Sequence, residues 1–307
     1  MLSLKSELRP GFSDLFSENR FFSEYLSFTL YGLFHRFLPN VRCRGRALML
    51  IPGFLAGDLS FGPLAGRLRE LGCQVFFSGL WCNVDCPVHT MPHMEKVLRK
   101  ASHKTSAKVS LIGHSLGGIY ARELAWKFPE LVDCAILLGS PVKDPLESSN
   151  TFLRPLFELA HRRCADEFAK STDMRNLDLT AGPLNVPETI IYSKTDGIVQ
   201  WQNCIESGRN IEAIEVPSSH LGLPYSSEVF DIIAARLARG SEQGPLRPLS
   251  SDVGRKSLRM NRGRLRLQRL DRSRRCIITP ALARGEPRAK PGMIASAPEI
   301  VNPLLVD

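Results

Sequence analysis

Residues 108–118 read KVSLIGHSLGG, and the fold turns on how this stretch divides. Val109, Ser110, Leu111 and Ile112 make a short, mostly apolar run that suits a buried strand. Ile119–Lys127 has helical spacing. Between them Gly113, His114, Ser115, Leu116 and Gly117 form a G-x-S-x-G turn. Only a sharp turn can lift the Ser115 hydroxyl clear of such a junction, and that turn forces its backbone into an unfavourable conformation. The residues two before and two after must then approach closely, which Gly113 and Gly117 allow because they lack Cβ. The helix that follows points its N-terminus at the serine, where negative charge is stabilised.

Outward from this junction the chain alternates. Strand candidates are Ala47–Ile51, Gln74–Phe77, Val109–Ile112, Ala135–Leu138, Thr189–Tyr192 and Glu212–Val216. Unbroken apolar runs of this length suit parallel strands buried on both faces. Helical patterns lie between them at Pro63–Leu71, Met94–Lys104 and Gly117–Lys127, with a last one at Ser226–Ala238. The expected fold is α/β, a doubly wound, mostly parallel sheet of about six strands. The rhythm breaks between Pro141 and Pro187, where Thr151–Lys170 has amphipathic helical spacing. A small helical cap inserted at about 143–186 is expected there. Three regions result: a leader over 1–42, an α/β domain over 43–240 and a tail over 241–307.

Composition sets bounds. A chain of 307 residues, 43% hydrophobic and 23% charged, is ordinary for a globular protein with a sizeable core. No run of about 18 apolar residues occurs, so no membrane span is expected. The start MLSLKSELRP lacks the pattern of a secretory signal. A cytoplasmic protein with reduced thiols is therefore the expectation for its eight cysteines. The net charge of +9 is unevenly spread: residues 241–307 carry 14 basic and 6 acidic groups, and the rest of the chain is nearly neutral. The basicity describes the tail and says little about what the α/β domain binds.

A serine hydroxyl needs an imidazole to take its proton, and the imidazole needs an acid to fix its tautomer. Downstream of Ser115 there are two histidines. His161 falls in the expected cap, whereas His220 lies in the loop PSSHLGLP after the last strand, from which a base can reach the top of the sheet. Asp196 leaves the preceding strand in KTDGIVQW; Asp144, in SPVKDP one strand earlier, is the alternative acid. An oxyanion needs two main-chain N–H donors, one after the nucleophile and one from an early loop. Leu116 and Phe54 are the candidates, with Gly53 giving room in IPGFLAG.

These four segments, IPGFLAG, GHSLGG, SKTDGIVQW and SSHLGL, occur in the order seen in the lipase and esterase branch of the α/β-hydrolase superfamily, which the chain resembles from about Ala47 to Ala238. The resemblance implies a reduced form of that fold and an acyl-serine intermediate on Ser115, Asp196 and His220, resolved by water. It implies no cofactor and no metal, and a small-molecule ester or lipid substrate; the Gly-Phe oxyanion loop, the aromatic leader and the expected cap favour an apolar acyl chain. An acyltransferase or thioesterase on the same residues is the alternative, and a non-catalytic scaffold a further one. The first antiparallel strand pair of larger members is not found in residues 1–46.

Three features stand outside this scheme. The leader carries Phe22, Tyr25, Phe28, Tyr31, Phe34 and Phe37 beside a polar stripe of Arg20, Glu24, Ser27 and His35. Two readings stay open: a helix packed on the α/β domain, or an interfacial helix over residues 20–38 resting on lipid. Arg255–Arg275 holds nine arginines and one lysine with few aromatics, which predicts a disordered tail and no nucleic-acid partner. Cys82, Cys86, His89 and His93 have spacing that zinc can use, but they are read as ordinary thiols and histidines in a loop.

Overall fold

The computed structural model describes residues 18–34, 43, 45–85, 87–143 and 184–239. Residues 144–183 of the expected cap, with Asp144 and His161, and also His35, Phe37 and the Arg-rich tail, lie outside the described residues.

Six strands form one sheet: β1 (Ala47–Ile51), β2 (Gln74–Phe77), β3 (Val109–His114), β4 (Val132–Leu138), β5 (Glu188–Tyr192) and β6 (Ile211–Glu215). Their order is β2-β1-β3-β4-β5-β6, and every pairing is parallel. The described helices are α1 (Arg20–Phe34), α2 (Gly62–Glu70), α3 (Pro87–Thr105), α4 (Leu116–Lys127), the short α5 (Trp201–Cys204) and α6 (Ser227–Arg239).

The period of two along each strand explains the layers. In β1, Met49 and Ile51 face one core with Met94 and Leu98 of α3 and Ile119 and Leu124 of α4. Leu48 and Leu50 face the other, with Leu64 and Leu68 of α2, Ile233 and Leu237 of α6 and Phe28 of α1. All five β1 residues are buried, so the strand is an unbroken apolar run rather than an alternating one. The edge strands β2 and β6 are partly exposed, and their sequences are more polar.

Two local differences from the sequence expectation have physical causes. Helix α3 begins at Pro87, seven residues before the apolar repeat that announced it. Proline is favoured at a first helical position, where its missing N–H has no partner to lose. His89 and His93 therefore sit on a helix and not in a loop, and His93 Nε2 pairs with Ser78 O at 3.0 Å. Cys86 lies outside the described residues. In α1 the polar stripe is divided: Arg20 and Ser27 are exposed, and Glu24 is turned inward. Glu24 is directed at the loop after β6, while Phe22, Leu26 and Leu30 are exposed. No helix among the described residues is long and apolar enough to cross a membrane.

Candidate active site

In an open parallel sheet, the crevice lies beyond the carboxyl ends of the strands where the strand order reverses. Here that point is between β1 and β3. The loop after β1 carries Phe54, and β3 runs straight into Ser115. Asp196 follows β5, and His220 follows β6, at the same end of the sheet.

Ser115 has φ 53° and ψ −121°, a conformation that side-chain-bearing residues rarely adopt. Such a conformation costs on the order of 1–3 kcal/mol and persists only where its surroundings enforce it. The two flanking glycines are required by space. A Cβ on Gly113 would lie 2.3 Å from Gly117 O, and one on Gly117 would lie 2.1 Å from Ile51 O. Both are main-chain atoms that cannot step aside.

Asp196 and His220 form a buried pair. His220 Nδ1 and Asp196 Oδ2 are 2.6 Å apart, and both side chains are almost wholly excluded from water. The other carboxylate oxygen of Asp196 accepts from Ile198 N (2.8 Å) and Val199 N (2.7 Å). A carboxylate in this state can only accept, so Nδ1 carries the proton, and Nε2 of the neutral ring is left with a free lone pair. Burial by itself would depress the His220 imidazole. The charge of Asp196, its hydrogen bond and the charge of Glu18 outweigh that effect and raise it above 6.5.

His114, immediately before the serine, lies beside His220 with ring centroids 4.8 Å apart. Its Nε2 donates to His220 O at 3.0 Å. Burial first, and then the neighbouring His220, lower its pKa to about 3. His114 is therefore a neutral prop linking the serine turn to the histidine loop. The Ser115 hydroxyl makes no hydrogen bond among the described residues, so this prop and the main-chain bond from Ser115 N to Leu138 O (2.8 Å) tie the turn to its neighbours.

Leu116 opens α4, with its N–H in the unpaired first turn of the helix. The β1 loop comes close: a Cβ on Gly53 would lie 3.1 Å from Ser115 Cβ. Phe54, next in sequence, packs against the core beneath.

Four further residues hold this arrangement; sequence reading missed Asn83, Gly139 and Glu18, and named Glu24 only in the polar stripe of the leader. Buried Asn83 grips the β1 loop: Nδ2 donates to Pro52 O (2.8 Å), its N to Ala56 O (2.8 Å), and its O accepts from Leu55 N (3.0 Å). Gly139, at φ 57°, lies against the acid–base pair; a Cβ there would be 3.2 Å from His220 Nδ1 and 3.3 Å from Asp196 Oδ2. Glu18 and Glu24 reach the same loops from the leader. A glycine directly after an apolar strand run was visible for Gly139, whereas nothing local marks Asn83 or Glu18.

Residues 88–216 match the model of a family described as the PGAP1-like alpha/beta domain. The match includes Ser115 and Asp196 and ends before His220. No curated protein matches. Among solved structures, the chain is similar to an α/β-hydrolase enzyme from the metagenome of lagoon sediments at Mar Chica, Morocco, at 17% identity. That alignment covers 64% of this chain and 91% of the other, with a TM-score of 0.47. It is also similar to a Bacillus licheniformis lipase (13% identity, 65% and 95% covered, TM-score 0.49). A monoacylglycerol lipase from Paleococcus ferrophilus is similar at 14% identity, with 64% and 96% covered and a TM-score of 0.46.

Proposed function

We propose that this chain, an α/β hydrolase by its fold, is a serine hydrolase that cleaves carboxylic esters through an acyl-enzyme. The observation that carries the proposal is the combination of a strained Ser115 after β3 with a buried, hydrogen-bonded Asp196–His220 pair at the same end of the sheet. A structural serine has no need of positive φ, and a buried imidazole–carboxylate pair is a poor source of stability, which supports a functional reading of both.

In this reading His220 Nε2 takes the hydroxyl proton as Ser115 Oγ attacks the ester carbonyl carbon. Asp196 holds the ring in the tautomer that accepts at Nε2 and stabilises the imidazolium that forms. The N–H groups of Phe54 and Leu116 receive the oxyanion, each donor contributing about 3 kcal/mol. His220 then protonates the leaving alcohol, and water resolves the acyl-serine by the same route in reverse. His114, neutral at working pH, adds no second positive charge beside the imidazolium.

An apolar acyl chain is the favoured substrate. Leu55, Trp81 and Leu221 are exposed in the segments after β1, β2 and β6, and Leu59 on the short helical turn Asp58–Phe61, and these side chains give an acyl chain or a lipid surface apolar area to cover. Exposed Phe22, Leu26 and Leu30 on α1 support a peripheral lipid contact by the leader.

The test is hydrolysis of p-nitrophenyl esters from acetyl to palmitoyl by the wild type and by Ser115→Ala. The expected result is turnover that rises toward longer acyl groups and falls by several orders of magnitude in the variant. Preference for acetyl overturns the apolar-acyl reading. Acyl transfer to an added alcohol or thiol in place of hydrolysis favours the transferase alternative. A folded wild type inert to every ester overturns the esterase proposal.

A further inference from the structure

The loops bearing Asp196 and His220 are held by a carboxylate from nearly two hundred residues upstream. Glu18, just before α1, is buried. Its Oε1 accepts from Gly197 N (3.0 Å) and His220 N (2.9 Å), and its Oε2 accepts from Leu221 N (2.9 Å). One side chain thus grips the residue after the acid, the base itself and the residue after the base. Along the same helix, Glu24 accepts from Ser219 N at 3.1 Å and from the Ser219 hydroxyl. The fit leaves no slack: a Cβ on Gly222 would fall 1.7 Å from Glu24 Oε2. Arg20 adds a bond to Pro217 O at 3.4 Å. Segment 217–222 is therefore lined on one side by α1 and the turn before it.

We propose that Glu18 is a positioning residue for the acid–base pair, acting from the leader to fix the spacing of the Asp196 and His220 loops. The proposal rests on the serine-hydrolase reading. Its physical ground is cost. Burying a carboxylate is unfavourable unless several donors satisfy it, and three main-chain N–H groups from two loops do so only in one relative placement. A loop tie of neutral groups would hold the chain equally well. A negative charge here also favours the imidazolium that forms when His220 takes the serine proton. The charged or titratable groups facing His220 are Asp196 from the β5 loop, His114 from β3 and Glu18 from the leader, with Glu24 on the adjoining Ser219.

The experiment compares full-length wild type, Glu18→Ala and Glu18→Gln in p-nitrophenyl ester hydrolysis over pH 5–9, with the rate of fluorophosphonate labelling of Ser115 followed in parallel. Displacement of a catalytic group by about an ångström costs roughly 10²-fold. Glu18→Ala is expected to lose kcat on that order with KM within about twofold. Glu18→Gln keeps one acceptor oxygen and the side-chain size, so it recovers most of kcat. Because it lacks the charge, the acid limb of its kcat/KM profile moves to lower pH. Wild-type labelling with Glu18→Ala reacting at the same rate overturns this proposal alone, as does a Glu18→Gln profile whose acid limb does not move. A folded wild type unlabelled at Ser115 overturns the serine-hydrolase reading beneath it.

Discussion

Ser115 holds a φ of 53° that glycine would occupy without strain. Ser115→Gly is therefore expected to raise stability by about 1 kcal/mol, read as a higher Tm, while abolishing ester turnover. The opposite case is Gly139. Alanine there would meet Leu223, whose side chain can move, but also His220 Nδ1 and Asp196 Oδ2, which cannot move without parting the pair. Gly139→Ala is expected to cost roughly 10²-fold in kcat with a much smaller proportional loss of stability, measured by kinetics beside thermal unfolding. Ser115, Asp196 and His220 stood out in the sequence because each follows a strand-like run at a glycine- or serine-rich turn, in the chain order of the fold those segments resemble. Glu18 and Asn83 did not. Their partners are main-chain groups remote in sequence, and main-chain groups leave no residue-type signature.

At the scale of elements, the strands were readable because burial on both faces removes polar residues from them. Helix α1 was half readable. Its helical spacing was clear, but the sequence left open whether it packs on the α/β domain or rests on lipid, and only tertiary contact shows which of its residues pack. Phe28 is buried beside Phe230, with the Arg67 guanidinium 3.7 Å over its ring, whereas Phe22 is 75% exposed. Phe28→Ala is expected to destabilise by about 3–4 kcal/mol and Phe22→Ala by less than about 0.5 kcal/mol, compared by denaturant unfolding. Equal effects would mean that α1 docks by a different face. The expected cap is a break in rhythm at the sequence level, and a break alone does not fix a fold.

Along the whole sequence, the basic excess and the candidate site residues fall in different segments. The described site residues lie between Glu18 and His220, while the basic excess belongs to residues 241–307. A chain ending at residue 240 carries a formal charge near neutrality, so weaker cation-exchange retention is expected with Ser115 reactivity unchanged. The pH dependence of the intact protein follows from His220, which must be neutral to act as base. If His220 is the base, activity is expected to rise with pH through its pKa, held above 6.5 by Asp196 and Glu18 against the effect of burial, with no second step from His114 above pH 5, as a pH–rate profile would show.

The most direct measurement is mass-spectrometric mapping of a fluorophosphonate adduct on the wild-type protein and on His220→Ala. The account predicts one adduct, on Ser115, forming at least 10²-fold more slowly when the imidazole is removed. A folded wild type without an adduct at Ser115, or equal rates in the two proteins, contradicts it.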